Sequence, residues 1–341
     1  MIKSKRMKAG RIQCVIFLLP LLLWQCKTTQ SITVDRLQKG SWSEVKSSDG
    51  STPVERHEAA FVGMGDAFYL LGGRGMKPVS IYDAKTSTWK QGSVPPIEMH
   101  HFQPVVYKGD IYVAGAMTGG YPGETPVPNI YIYSTTLDAW RKGPEIPSVR
   151  QRGGAGAVVM GDKLYLVCGI KDGHRGDHKT WLDVFDFTTG VWEVLPDAPR
   201  PRDHFQAIIV GDNLYALGGR TTIAADNPFK HTIAEVDVFD LGMSKWTTLP
   251  SNLPTPRAGN FVINMGEEIL VLGGESFSQE PAHAEVESLN VRSQKWRTLP
   301  AIPQGRHGTG VILYNDRLYT SSGSGNRGGG PELADLWSFT F

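Results

Sequence analysis

The stretch "RDHFQAIIVGDNLYALGGR", residues 202–220, decides the fold. It opens on Arg202-Asp203-His204, runs through apolar residues to Gly211-Asp212, and runs again to Gly218-Gly219-Arg220. Two apolar runs about a glycine-led two-residue turn read as a β-hairpin, because tight hairpins need positive φ and glycine adopts it freely. A hairpin reverses direction. Arg202 and Arg220 are therefore expected at one end of a sheet and Asp212 at the other.

Five cousins of this hairpin occur along the chain. Their turns are Gly65-Asp66, Gly109-Asp110, Gly161-Asp162, Gly266-Glu267 and Asn315-Asp316. Their second strands read "AFYLLGGR", "DIYVAGAM", "KLYLVCGI", "EILVLGGE" and "RLYTSSGS". A third strand follows, as in "NIYIYS", "LDVFDF" and "VDVFDL", and a fourth carries a tryptophan. Trp42, Trp89, Trp140, Trp192, Trp246 and Trp296 are spaced by 47, 51, 52, 54 and 50 residues. A period of about 50 residues with four short strands per repeat is the pattern of a propeller blade. The chain stops at "DLWSFTF", a third strand, whereas "GSWSEV" at 40–45 is a fourth strand with no blade before it. The expected fold is all-β: a six-bladed β-propeller of four-stranded antiparallel blades over residues 40–341, closed by the N-terminal strand. Closure protects strand edges that would otherwise pair with other chains.

With these elements in one order, residues 41–341 resemble the kelch-repeat family, whose motif is the "LYxxGG" strand, the "VxxFD" strand and the "W…LP" end. Ala116 replaces the second glycine of repeat two, Cys168 the first of repeat three, and Ser322 departs in repeat six. The resemblance extends to exported bacterial sialic-acid epimerases, to cytoplasmic adaptors that dock acidic loops, and to galactose oxidase. The copper-radical site of galactose oxidase needs a cysteine crosslinked to a tyrosine. Cys168, the one cysteine in the propeller, ends a core strand, so copper oxidation is not expected.

Residues 1–25 read differently. Lys3, Lys5, Arg6, Lys8 and Arg11 precede an apolar run from Cys14 to Trp24, too short to span a bilayer comfortably. This is the form of an export signal. Leu23-Trp24-Gln25-Cys26 resembles a bacterial lipoprotein box with Cys26 as the lipidated residue, although Gln25 stands where such boxes carry a small side chain. Residues 26–39 are then a linker, and the protein is expected to be exported, either periplasmic or membrane-anchored through that lipid. Removing residues 1–25 takes away five basic and no acidic residues, leaving 30 basic against 34 acidic. That balance does not suit nucleic acid. With Cys26 lipidated, Cys168 has no partner, and no disulfide framework is expected. A monomer is expected.

Candidate site residues follow from the register. Nine residues before each turn stand Arg56, His100, Arg152, Arg202, Arg257 and Arg306, expected as a cationic belt around the channel mouth. One residue later come His57, His101, Gly153, Asp203, Ala258 and His307. The loops between second and third strands open on the same face and add Arg74, Tyr121, Glu124, His174, Arg220, Phe229 and Glu275. All nine histidines fall on this face. Two uses compete for the belt: gripping a ligand, or binding backbone carbonyls between blades, as the kelch resemblance implies.

Arginine pairs bidentately with carboxylate or sulfate. The expected partner is therefore anionic: an acidic glycan or sugar acid, or an acidic protein loop. The ligand-binding set is Arg56, His57, Arg74, His100, Arg152, Arg202, Arg220, Arg257, Arg306 and His307, with Tyr121, Phe229 and Phe277 as apolar platforms. Binding is preferred to catalysis. An enzyme at this site would be an epimerase or lyase on an acidic sugar, with His101 or His204 as base, Arg202 on the carboxylate and Tyr121 as proton donor. "HRGDH" gathers His174, Asp177 and His178, and His100 adjoins His101, but neither has the spacing of a zinc motif. No metal and no cofactor is expected.

Overall fold

A computed structural model describes Met1 and residues 34–341. The export segment, Cys26 and the first part of the linker lie outside the described residues. Six four-stranded antiparallel sheets are present, each in simple hairpin order, with one two-residue ribbon pairing Met117–Thr118 and Thr125–Pro126. The hairpin of the opening stretch forms Gln206–Val210 and Asn213–Leu217, followed by Asp237–Asp240 and Lys245–Thr248. This is the expected six-bladed propeller.

The last blade closes the ring. Its strands are Ile312–Tyr314, Arg317–Ser321, Leu336–Thr340 and, from the other end of the chain, Ser41–Glu44. Ser41 pairs with Thr340 and Glu44 with Trp337. The linker reading is corrected over Val34–Lys39, which form an α-helix. Leu37 is fully buried beside Phe261, Leu299 and Phe339, and Arg36 donates to the Phe341 carbonyl at 2.9 Å. Burying that leucine holds the segment against the propeller.

Each blade is sandwiched between two others, so its second strand is apolar on both faces. Leu214, Tyr215, Ala216 and Leu217 are all buried. The core lies between blades: Leu217, Val236 and Val238 of blade four meet Val262, Ile269 and Val271 of blade five. Four of the tryptophans that set the period join neighbouring blades. Trp192 Nε1 donates to the Glu145 carbonyl (3.0 Å), Trp246 to Pro196 (2.7 Å), Trp296 to Ser251 (3.3 Å) and Trp42 to Pro300 (2.9 Å). Trp246→Phe keeps most of the ring and removes one such bond. It is expected to cost about 1 kcal/mol, the net worth of a hydrogen bond, measured by denaturant unfolding.

Blade two departs from the expected register. Its turn is Lys108-Gly109, and Tyr107 pairs with Asp110. In the Gly-Asp hairpins the glycine takes the first turn position at positive φ, as at Gly65 (57°) and Gly211 (58°). In blade two Lys108 (47°) and Gly109 (88°) both lie at positive φ, the pattern of a type I′ turn with glycine second. The strand is therefore one residue shorter. His100 pairs across to Met117 just as Asp203 pairs to Arg220, so His100 is equivalent to Asp203 and not to Arg202.

Candidate functional site

One residue from each blade surrounds the propeller axis in a closed ring of backbone hydrogen bonds. His101 N donates to Glu58 O, Gly154 N to His101 O, His204 N to Gly154 O, Gly259 N to His204 O, and Gly308 N to Gly259 O. Ala59 N donates to Gly308 O and closes it. All six ring residues have left-handed backbone: Glu58 (51°), His101 (54°), Gly154 (60°), His204 (53°), Gly259 (63°) and Gly308 (62°). Three blades place glycine there, which takes this φ without strain. The other three place Glu58, His101 and His204, where a side chain makes the conformation unfavourable. Such strain persists where surrounding structure enforces it, commonly at functional sites. These three side chains converge at the head of the channel.

The cationic belt is corrected. Arg56, Arg152, Arg202, Arg257 and Arg306 are fully buried inside the blades. Each donates to the carbonyl sixteen residues on, at Gly72 (3.0 Å), Cys168 (2.8 Å), Gly218 (2.8 Å), Gly273 (2.6 Å) and Ser322 (3.0 Å). Four of them also pair with acids in or just before the third strand: Asp183, Asp237, Glu287 and Asp335. Their guanidinium groups satisfy strand ends and face no cavity, so Arg202 is not available to a ligand carboxylate. His100, placed in the belt by sequence, stands instead at the channel head.

Above the ring lies a cavity of about 590 Å³, walled by His57, Glu58, Arg74, His101, Tyr121, His174, Arg220, Phe229 and Glu275. The structure thus brings together His57, Arg74, His101, Tyr121 and Arg220 from the expected set, with His100, His204 and His307 packed close behind. Arg220 is held by Glu275 Oε1 (2.5 Å) and Thr222 Oγ1 (2.8 Å), and its carbon Cζ lies 5.4 Å from the Phe229 ring centre. Among the described residues no hydrogen bond engages its Nη2. Arg74 bonds Glu124, and His57 Nδ1 lies 2.6 Å from Glu332. His307 Nε2 lies 2.9 Å from the carbonyls of Asn326 and Gly328. Tyr121, half exposed at the rim, sets its ring 5.0 Å from His174. Phe277 is exposed beside Arg327.

The histidine cluster is the densest feature. The His101 and His204 rings lie 4.5 Å apart, and His174 lies 5.2 Å from the first and 4.9 Å from the second. All three are buried. Burial, then the neighbouring histidines, holds His101 well below the ordinary imidazole range. Burial and Arg220 lower His204 against the pull of Asp203, and burial and Arg74 push His100 down to about 4. Burial works to raise Asp203, but His204, His178 and Arg220 hold it well below the usual carboxylate range. His100, His101 and His204 are thus held toward the neutral form, with the ionised Asp203 carboxylate behind them. His178 and Asp177, grouped with His174 by sequence, separate from it: His178 turns to Asp203 at 3.1 Å and Asp177 to Lys179 at 2.5 Å. Glu58 escaped the sequence reading. Its one signal was a charged residue at the position where three other blades carry glycine, one residue beyond His57.

A family model described as the KLHDC2/KLHL20/DRC7 Kelch-repeats domain matches residues 25–219. The Kelch-like protein terF of Aspergillus terreus is 27% identical over 289 residues, which cover 80% of this chain and 61% of that protein. Human Kelch-like protein 23 is 22% identical over 261 residues, covering 75% of this chain and 43% of that protein. The chain thus spans about three fifths of the fungal relative and under half of the human one. Among solved structures, that of YjhT superposes with a TM-score of 0.71 at 16% identity, covering 85% of this chain and 96% of that one. That likeness is one of fold. Propellers of this kind serve ligand binding or protein interaction.

Proposed function

The chain belongs to the kelch-repeat family, and on that premise we propose that its loop-face cavity binds a small acidic sugar or sugar acid. The observation that carries the reading is Arg220, fixed in the cavity wall by Glu275 and Thr222 with Nη2 unengaged beside the Phe229 face. A guanidinium held in this way offers a ready donor to a carboxylate, and an aromatic face beside it suits the apolar side of a sugar ring. The volume of about 590 Å³ falls within the range of small-molecule pockets. A protein loop docking on the same face is the alternative. An epimerase or lyase is favoured over simple binding only by the neutral His101 and His204, which could accept a proton.

Calorimetry with uronic and sialic acids, against their methyl esters and neutral hexoses, tests the reading. The free acids are expected to bind and the esters to bind at least about ten-fold more weakly, the loss of one charge-assisted contact. Arg220→Gln is expected to weaken the acids by a similar factor with the fold unchanged by circular dichroism. Equal affinity for acid and ester, or no binding across the panel, would overturn it.

A further inference from the structure

The proton positions at the channel head follow from hydrogen-bond geometry. His100 Nε2 lies 3.1 Å from the Gly119 carbonyl, which only accepts, so that nitrogen carries the proton and Nδ1 holds a lone pair. His101 Nδ1, 2.5 Å from His100 Nδ1, must donate to it. His101 Nε2 is then a lone pair. His204 Nδ1 faces the Asp203 carboxylate, and His174 Nδ1 lies 2.9 Å from Glu124 Oε2. His204 Nδ1 carries its proton toward Asp203, so His204 Nε2 is a lone pair, whereas His174 Nδ1 lies beside Glu124 without a hydrogen bond. The Nε2 atoms of His204 and His174 lie 3.2 Å apart. Glu58 Oε2 stands 3.4 Å from His101 Nε2. The lone pairs of His101 and His204 and the Glu58 carboxylate thus share a buried pocket with His174, an arrangement that favours a cation among them.

We propose that His101, His174 and His204 bind a divalent transition-metal ion of the zinc class through their Nε2 atoms. The three residues offer ring nitrogens that all lie within 4.8 Å of one another. Zinc–imidazole bonds of about 2.0–2.1 Å in tetrahedral array put ligand nitrogens about 3.3 Å apart. The 3.2 Å between His174 and His204 already has that value. Asp203 and His100 supply outer partners that fix tautomer and ring angle, as acceptors behind metal-bound histidines do, and Glu124 Oε2 lies 2.9 Å from His174 Nδ1, in place to do the same once an ion is bound. Neutral imidazole suits zinc, copper, nickel and cobalt, and three protein ligands leave a fourth position open. The Tyr121 ring packs edge-on against His174. The proposal also accounts for the strained backbone: His101 and His204 occupy ring positions that other blades give to glycine. It is independent of the sugar reading, though a bound ion would offer a further point for a sugar carboxylate.

The test needs no sugar, so it fails or succeeds separately from the ligand panel. The full chain is stripped with chelator and titrated with Co²⁺. One equivalent is expected to bind, with visible d–d bands of a low-coordinate nitrogen site, and Zn²⁺ is expected to bleach them. His174 sits on a loop outside the blade core. His174→Ala is expected to weaken Co²⁺ by more than about 100-fold, the upper end of outer-shell losses. Glu124→Gln, which keeps every ligand, is expected to weaken it about 10–100-fold. Absence of binding by the wild-type chain would show that a shared proton bridges His174 and His204, and would overturn the proposal. So would a cobalt spectrum and affinity unchanged in both variants.

Discussion

Arg257→Met is expected to destabilise the propeller by about 3–5 kcal/mol, the cost of leaving a buried charge without its partner. Arg257 is fully buried and Glu287 almost so. The guanidinium donates to Glu287 (2.5 Å) and to the carbonyls of Thr255 (2.6 Å), Gly273 (2.6 Å) and Val271 (2.9 Å). Methionine fills similar space but satisfies none of them. Adding Glu287→Gln removes the orphaned charge and is expected to restore part of the loss. By contrast Arg175→Met, at an exposed pair with Asp172 (3.9 Å), is expected to change stability by under about 0.5 kcal/mol. Denaturant unfolding of the four proteins measures all of this. A loss below about 1 kcal/mol in Arg257→Met would mean that the buried arginines are not the clamps described above.

Deleting residues 40–46 is expected to abolish the soluble monomer. The deletion removes the strand Ser41–Glu44, which pairs with Trp337–Thr340. It also removes Trp42, whose ring lies 5.1 Å from Phe339 and whose Nε1 holds the Pro300 carbonyl. The exposed edge would carry unpaired N–H and C=O groups, a template for pairing with other chains. Size-exclusion chromatography and thermal melting report the outcome. A monomer that melts as the intact chain does would refute ring closure by this strand.

The sequence by itself determined the repeat. The tryptophan spacing, the glycine-led hairpins and the unmatched strand at residues 40–45 specify six blades and their closure, because each signal is local and recurs. The sequence also placed the histidines on one face, since a hairpin returns its two ends to the same edge. Three things were settled only by tertiary structure. The arginine belt turned inward, because strand ends buried between blades leave carbonyls that need donors, and Arg152 or Arg257 reaches them from the same blade. Blade two slipped by one residue, because Lys108-Gly109 took a turn with both residues at positive φ, and a shift of one re-aims every side chain counted back from the turn. The cluster of His101, His174 and His204 formed because the closed backbone ring brings blades two and four to the axis while the loop of blade three folds over them. No spacing between residues 101 and 204 encodes that meeting; the closure of the ring does.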